Sequence, residues 1–153
     1  MNEIDEFDRR ILRAIQQDSS RSTAELAGIV GLSQPACWRR LQRLRESGII
    51  VREIAVLDRE KLGFSFQVFV LVKLTTIGRA KLADFAKALR ALPEVVECHV
   101  LMGTADFLLK VVTKDSYAYE RFFFEDLSAL DDIQDMTSAV ALSEIKSPSG
   151  LPL

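Results

Sequence analysis

Apolar residues recur at helical spacing from the start of the chain. Phe7, Ile11, Leu12 and Ile15 form a stripe that predicts a helix over residues 5–17. Asp5 can cap its start, and Asp8, at its third position, sits near the positive end of the dipole. The stretch DSSRS at 18–22 breaks the pattern. A second short helix is expected over 23–30, with Leu26, Ala27 and Val30 as its apolar face. Ser22 is its N-cap, and Glu25, three residues on, completes a capping box. Gly31 then permits the left-handed conformation that turns a chain sharply after a helix. Ser33 is a good N-cap and Pro35 falls in the first turn, so a third helix is expected over 34–47. Cys37, Leu41 and Leu44 share one face of it, Arg39, Gln42 and Glu46 lie opposite, and Trp38 and Arg43 are on the flanks. Gly48 ends it.

The period then changes. Ile49-Ile50-Val51, Arg52-Glu53 and Ile54-Ala55-Val56-Leu57 read as a short β-hairpin or wing leading into a linking strand. Residues 58–63 (DREKLG) look like one capped helical turn and mark the expected domain boundary, dividing the chain into 1–57 and 58–153. Beyond it, strands are expected at 66–75, 95–102, 106–113 and 133–145, with helices at 79–92 and 116–130. That order is βαββαβ, a ferredoxin-like sandwich, and the whole chain is α+β. The ending SPSGLPL is too rich in Pro, Ser and Gly to pack well alone.

The length of 153 residues fits one medium domain or two small ones, and 48% hydrophobic with 27% charged residues is ordinary for a soluble globular protein. No apolar run is long enough to span a membrane, and the acidic, polar start MNEIDEFDRR does not read as a signal peptide, so a cytoplasmic protein is expected. Cys37 and Cys98 form no CxxC pair and are expected to be free, buried thiols. With one histidine, His99, little remains for a metal site or a Cys/His catalytic pair. Cys98 and His99 are adjacent, but neighbours in a strand point to opposite faces and cannot readily touch. There is no G-x-S-x-G, Walker loop, H-E-x-x-H or dinucleotide fingerprint. No catalytic residue, cofactor or metal is therefore expected, and the protein does not read as an enzyme.

Net charge is −2, which does not suggest a nucleic-acid binder, but placement matters more than the total. Residues 33–47 hold Arg39, Arg40, Arg43 and Arg45 against one acid, Glu46. Three short helices with a glycine turn before the third are a helix-turn-helix pattern. The third helix buries its apolar face and leaves the opposite face and N-terminal end free for a major groove, where arginine can grip guanine with two hydrogen bonds. The expected partner is double-stranded DNA, and the candidate contacts are Ser33, Gln34, Pro35, Trp38, Arg39, Arg40 and Arg43. Trp38 either stacks on a backbone sugar or covers the helix packing. In the second half, two helices can cover one sheet face only; the other is apolar too, and a second copy is the economical cover.

Three runs carry a family resemblance. STAELAGIVGLSQPACWRRLQRLRESGII resembles the helix-turn-helix of the Lrp/AsnC (feast/famine) transcriptional regulators. ECHVLMGTADFLLKVV resembles the strand-turn-strand of that family's effector domain, and VALSEIKSPSGLPL its ending. The resemblance implies a winged helix-turn-helix followed by a RAM-type domain of the βαββαβ fold. It also implies homodimers paired through their sheets, often assembled to octamers, that respond to amino acids or related small molecules. Domain 1–57 would then bind DNA and 58–153 would bind effector and assemble subunits. The implied effector site lies at a subunit interface beside Leu101, Met102, Gly103, Thr104, Ala105 and Asp106, with Ala139 and Ala141 lining the side-chain pocket. Turn N–H groups can hold a carboxylate, and Asp106 either accepts from the ligand's α-ammonium or simply caps the turn. Many members read Gly-Asp-x-Asp here; in Gly103-Thr104-Ala105-Asp106 only the second acid remains. Small residues at Ser138-Ala139-Val140-Ala141 either enlarge the pocket or let the backbone close it. The alternatives from other classes are a ligand-sensing oligomeric adaptor and a small enzyme on a ferredoxin-like domain.

Overall fold

The computed structural model describes residues 4–75, 79–146 and 150–153; residues 1–3 of the acidic start and 147–149 of the Pro/Ser/Gly-rich ending lie outside them. The chain divides into two compact units, one made of Met1–Val56 with Ile145–Leu153 and the other of Leu57–Glu144.

The first unit is built on α1 (Glu6–Gln17), α2 (Thr23–Val30) and α3 (Gln34–Glu46). Two of the three expected caps form, and both are full capping boxes: Asp5 with Asp8, and Ser22 with Glu25. Gly31 ends α2 in the left-handed region at φ 75°, which redirects the chain into α3. Ser33 precedes α3, but its hydroxyl makes no cap hydrogen bond. Ile11, Leu26, Val30, Cys37, Leu41 and Leu44 form the core.

The wing does not form. Residues 49–58 pair with no strand among the described residues, and Val51, Ile54, Val56 and Leu57 are exposed. Arg52-Glu53 offers neither residue that a two-residue hairpin turn favours, and an isolated hairpin is marginal in water. Arg45 Nη2 donates to Glu53 Oε1 at 2.8 Å and ties the segment back to α3.

The ending does not pack alone; it joins this first unit. Leu151 N–H donates to Gln16 Oε1 (2.6 Å), Gln16 Nε2 donates to the Leu151 carbonyl (3.3 Å), and Arg13 Nε donates to the Leu153 carbonyl (2.6 Å). Leu153 packs against the three-helix core. Gly150 has φ 100°, and a Cβ there would lie 2.4 Å from Gln16 Oε1, so only glycine fits beside the clasp.

The second unit is a four-stranded antiparallel sheet in the order β2-β3-β1-β4, from β1 (Phe66–Leu74), β2 (Val95–Val100), β3 (Phe107–Thr113) and β4 (Ile133–Val140). Its helices are α4 (Arg79–Arg90) and α5 (Ser116–Phe122), the latter continued by a π-helical turn, Phe123–Leu127. The expected βαββαβ order is present. The last strand is shorter than expected and stops at Val140, where Ala141 N–H still reaches the Gln67 carbonyl. Val68, Val70, Val72 and Leu74 alternate with Phe107, Leu109 and Val111 to form one buried face, packed with Phe85, Leu89, Phe122 and Leu127. The other face carries Phe69, Leu71, Leu108, Thr137 and Ala139 at opposite registers. Phe69 and Leu71 are 36% and 40% exposed. Cys98 is free but exposed, not buried, because β2 is an edge strand with a neighbour on one side only. It faces Leu109 while His99 faces Leu108, so the two do point to opposite faces.

Candidate DNA-reading helix and effector turn

α3 presents its sequence-predicted contacts unequally. Ser33, Gln34, Pro35 and Arg39 are exposed, and Trp38 is half exposed. Among the described residues the side chains of Ser33, Gln34, Trp38 and Arg39 make no hydrogen bond or ion pair. Arg39 lies opposite Cys37, Leu41 and Leu44, Trp38 lies on a flank, and Ser33 and Gln34 stand at the helix N-terminus. These groups can donate to phosphate and to base edges.

Arg40 and Arg43 are placed differently. Three residues apart, they share one flank of α3 and converge on α1. Arg40 Nη1 donates to Asp5 Oδ2 (2.6 Å) and Asp8 Oδ1 (2.9 Å), and Arg43 Nη2 donates to Asp8 Oδ2. The Arg40 guanidinium also lies 5.5 Å from the centre of the Phe7 ring. The Asp8 backbone N–H, then Arg40, hold the Asp5 carboxyl below the usual carboxylate range, and Asp5 and Asp8 in turn raise Arg40. Asp8 is fully buried, and the sequence reading gave it only a place near the positive end of the helix dipole. The overlooked signal is its spacing: Asp8, Ile11, Leu12 and Ile15 stand at i, i+3, i+4 and i+7. An acid on a buried stripe needs a cationic partner.

At the other candidate site, Leu101 N–H donates to the Asp106 carbonyl at 2.8 Å and closes the turn. Leu101, Met102, Gly103 and Thr104 are exposed, and Ala105 is half-buried. A Cβ on Gly103 would meet no atom within 4 Å, so the space above the turn is open. Asp106 is buried and committed within the fold. Its Oδ2 accepts from Leu74 N–H at 2.8 Å and its Oδ1 from Lys73 Nζ at 3.2 Å. Ala139 and Ala141 are not brought to the turn within one chain. Ala139 faces Phe69 and Ala141 bonds Gln67, whereas Asp106 N–H bonds the Val72 carbonyl. Three to five residues along β1 separate them, about 10–17 Å by strand rise.

The Leu74 N–H, and then the Lys73 ammonium, hold the Asp106 carboxyl below its ordinary value. A carboxyl lowered in the folded state stabilises the fold fully above its unfolded pKa, about 3.9. That stabilisation is lost as pH falls through the lower folded value. Melting temperatures taken from about pH 2 to 6 should therefore converge for wild type and Asp106→Asn at the acid end, with wild type higher above about pH 4. Parallel curves would show that the ionised carboxylate contributes nothing.

Among the described residues no group of His, Cys, Asp and Glu is arranged to hold a metal, and no helix is long and apolar enough to cross a membrane. Comparison with known proteins gives two matches to family models. Residues 4–45 match the AsnC-type helix-turn-helix domain, and residues 67–151 match the Lrp/AsnC ligand binding domain. The chain is similar to the Bkd operon transcriptional regulator of Pseudomonas aeruginosa, 37% identical with all of both chains covered. Among solved structures it is similar to an AsnC family transcriptional regulator from Agrobacterium tumefaciens (39% identity, TM-score 0.91, 97% and 96% of the two chains). It is also similar to a transcriptional regulator from Neisseria meningitidis in complex with L-methionine (33% identity, TM-score 0.93, 98% and 97%).

Proposed function

The chain belongs to the Lrp/AsnC family of DNA-binding transcriptional regulators, and from that premise we propose that it works as a homodimer whose paired sheets bring a free amino acid to the turn at residues 101–106. Domain 1–57 carries the reading helix, with Ser33, Gln34, Pro35, Trp38 and Arg39 facing the major groove. Domain 58–153 assembles subunits and binds effector, with the last residues of the chain returning to support the first unit. A regulator of this kind works where DNA is, in the cytoplasm, and its output is occupancy of DNA rather than a chemical product.

The observation that carries the assembly is the sheet face bearing Phe69, Leu71, Leu108 and Ala139. Both helices of the unit pack on the opposite face. Apolar strands left open on one side ask for a cover, and two-fold pairing of identical faces is the commonest one. Pairing also gives one molecule two reading helices, as a near-palindromic site with half-sites about 34 Å apart requires. The exposed Val96, Val100, Leu101 and Met102 at the β2 edge offer a second contact, through which pairs assemble to an octamer.

A second copy also supplies what one chain lacks at the effector turn. Ala139 and Ala141 lie far from residues 101–106 within a subunit, so a pocket made of both needs two subunits. Turn N–H groups meet the carboxylate, and the small side chains of β4 leave room for the variable group. Asp106, with both oxygens engaged, holds the turn in shape, and a ligand's ammonium competes with Lys73 for its Oδ1. The L-methionine bound by the similar Neisseria meningitidis regulator supports this class of effector.

Two readouts on the same protein test the proposal. Sedimentation at micromolar concentration is expected to give a dimer or its multiples; a stable monomer would overturn the assembly. A thermal-shift screen of the twenty amino acids is expected to give a hit, since a ligand of the folded form raises its melting point by mass action. Twenty flat responses would overturn the effector.

A further inference from the structure

We propose that Asp8 is a positioning residue for DNA recognition: from α1 its buried carboxylate holds Arg40 and Arg43 of α3, fixing the reading helix and leaving Arg39 as the arginine that meets DNA. The inference rests on the DNA-binding reading above and adds a division of labour among the arginines of one helix.

Asp8 has no exposed surface, and a carboxylate so placed is costly unless paired and fully hydrogen-bonded. Three donors meet it: Arg40 Nη1 on Oδ1, and Arg43 Nη2 with the Asp5 N–H on Oδ2. Asp5 adds a second acid on Arg40, so two guanidinium groups face two carboxylates and the cluster is neutral. The members come from positions 32 and 35 residues apart, so the cluster joins α1 to α3 rather than bracing either helix alone. Turning α3 by one residue swings each arginine by about 100°, off its oxygen. A buried ionic group of this kind sets geometry more than it adds stability. It also weakens two cations toward DNA, because Arg40 and Arg43, though 27% and 48% exposed, are each paired to a carboxylate of the protein and so displace fewer counterions from phosphate. Arg39, on the outer face with no partner among the described residues, keeps its full charge and its planar fork.

The experiment measures affinity against salt for two duplexes of about 30 base pairs, three helical turns. One is selected from a random pool by the wild-type protein and the other is its scrambled counterpart. Asp8→Asn keeps the shape and loses the charge, freeing Arg43 and leaving Arg40 to Asp5 alone. The salt dependence on both duplexes is expected to steepen by about one unit of slope, while preference for the selected duplex falls about tenfold. Unchanged slope and preference overturn the proposal, as does uniform weakening at unchanged slope, which would make Asp8 a prop for the fold and no more. Should Asp8→Asn fail to fold by circular dichroism, Arg43→Met decides. Its slope is expected to stay at the wild-type value; a slope shallower by about one places Arg43 on a phosphate and overturns the clamp. Wild-type protein that selects no duplex would overturn the DNA-binding reading itself, whereas selection by wild type with Asp8→Asn unchanged strikes only the clamp.

Discussion

Phe107→Ala is expected to cost the C-terminal unit about 3–5 kcal/mol, because a fully buried aromatic is replaced by a cavity that close-packed neighbours cannot fill. Phe107 has no exposed surface and opens β3 immediately after the turn at residues 101–106. Its ring centre lies 5.0 Å from that of Phe85 on α4, tilted by 46°. It pairs with Val72 on one side and Val100 on the other, so it joins three strands and a helix at one point. A urea titration followed by circular dichroism measures the loss. A cost below about 1 kcal/mol would mean that the ring does not pack as described. The same change should loosen the turn that it anchors and weaken any amino-acid response along with the fold.

Arg39→Ala is expected to weaken specific DNA binding by about 1–3 kcal/mol if the side chain reads a base, with affinity for scrambled DNA nearly unchanged. A phosphate contact would give a different pattern, with uniform loss on every sequence and a salt slope shallower by about one. Gel shifts on the two duplexes at several salt concentrations separate these results. Wild-type binding to both would show that the outer face of α3 does not carry recognition.

What the sequence made legible is local or strictly periodic. The Ser22-Glu25 capping box is read from four consecutive residues, and both of its hydrogen bonds are present. The alternation of Val68, Val70 and Val72 with Phe69 and Leu71 marks β1, and the βαββαβ order follows from such runs. The expected wing at 49–57 failed because β-branched residues alone do not specify a hairpin; the turn between them must also be able to close. Cys98 was read as buried because an unpaired thiol usually is, but burial on an edge strand depends on what lies beside it. The clasp of Gln16 on Leu151 spans 135 residues, and no local pattern announces a bond of that range. The third helix was legible as a helix with four arginines, but the unequal pairing of those arginines was not. Arg40 and Arg43 look as free as Arg39 until the fold brings Asp8 to them. Asp106 is similar: its type and place suggest a ligand, and only the fold shows Leu74 and Lys73 already on both oxygens.

The clasp at residues 150–153 has a consequence for how the protein is born. A ribosome adds about 5–20 residues per second, so roughly 5–20 s pass between the emergence of the three helices and the arrival of the residues that finish their support. During that interval the three-helix core lacks Leu153, and Gln16 lacks its backbone partner. The three helices are made long before the residues that complete their support. A nascent chain halted before residue 150 would carry α3 on an unfinished support, so the first unit reaches its full structure only once residues 150–153 have been added.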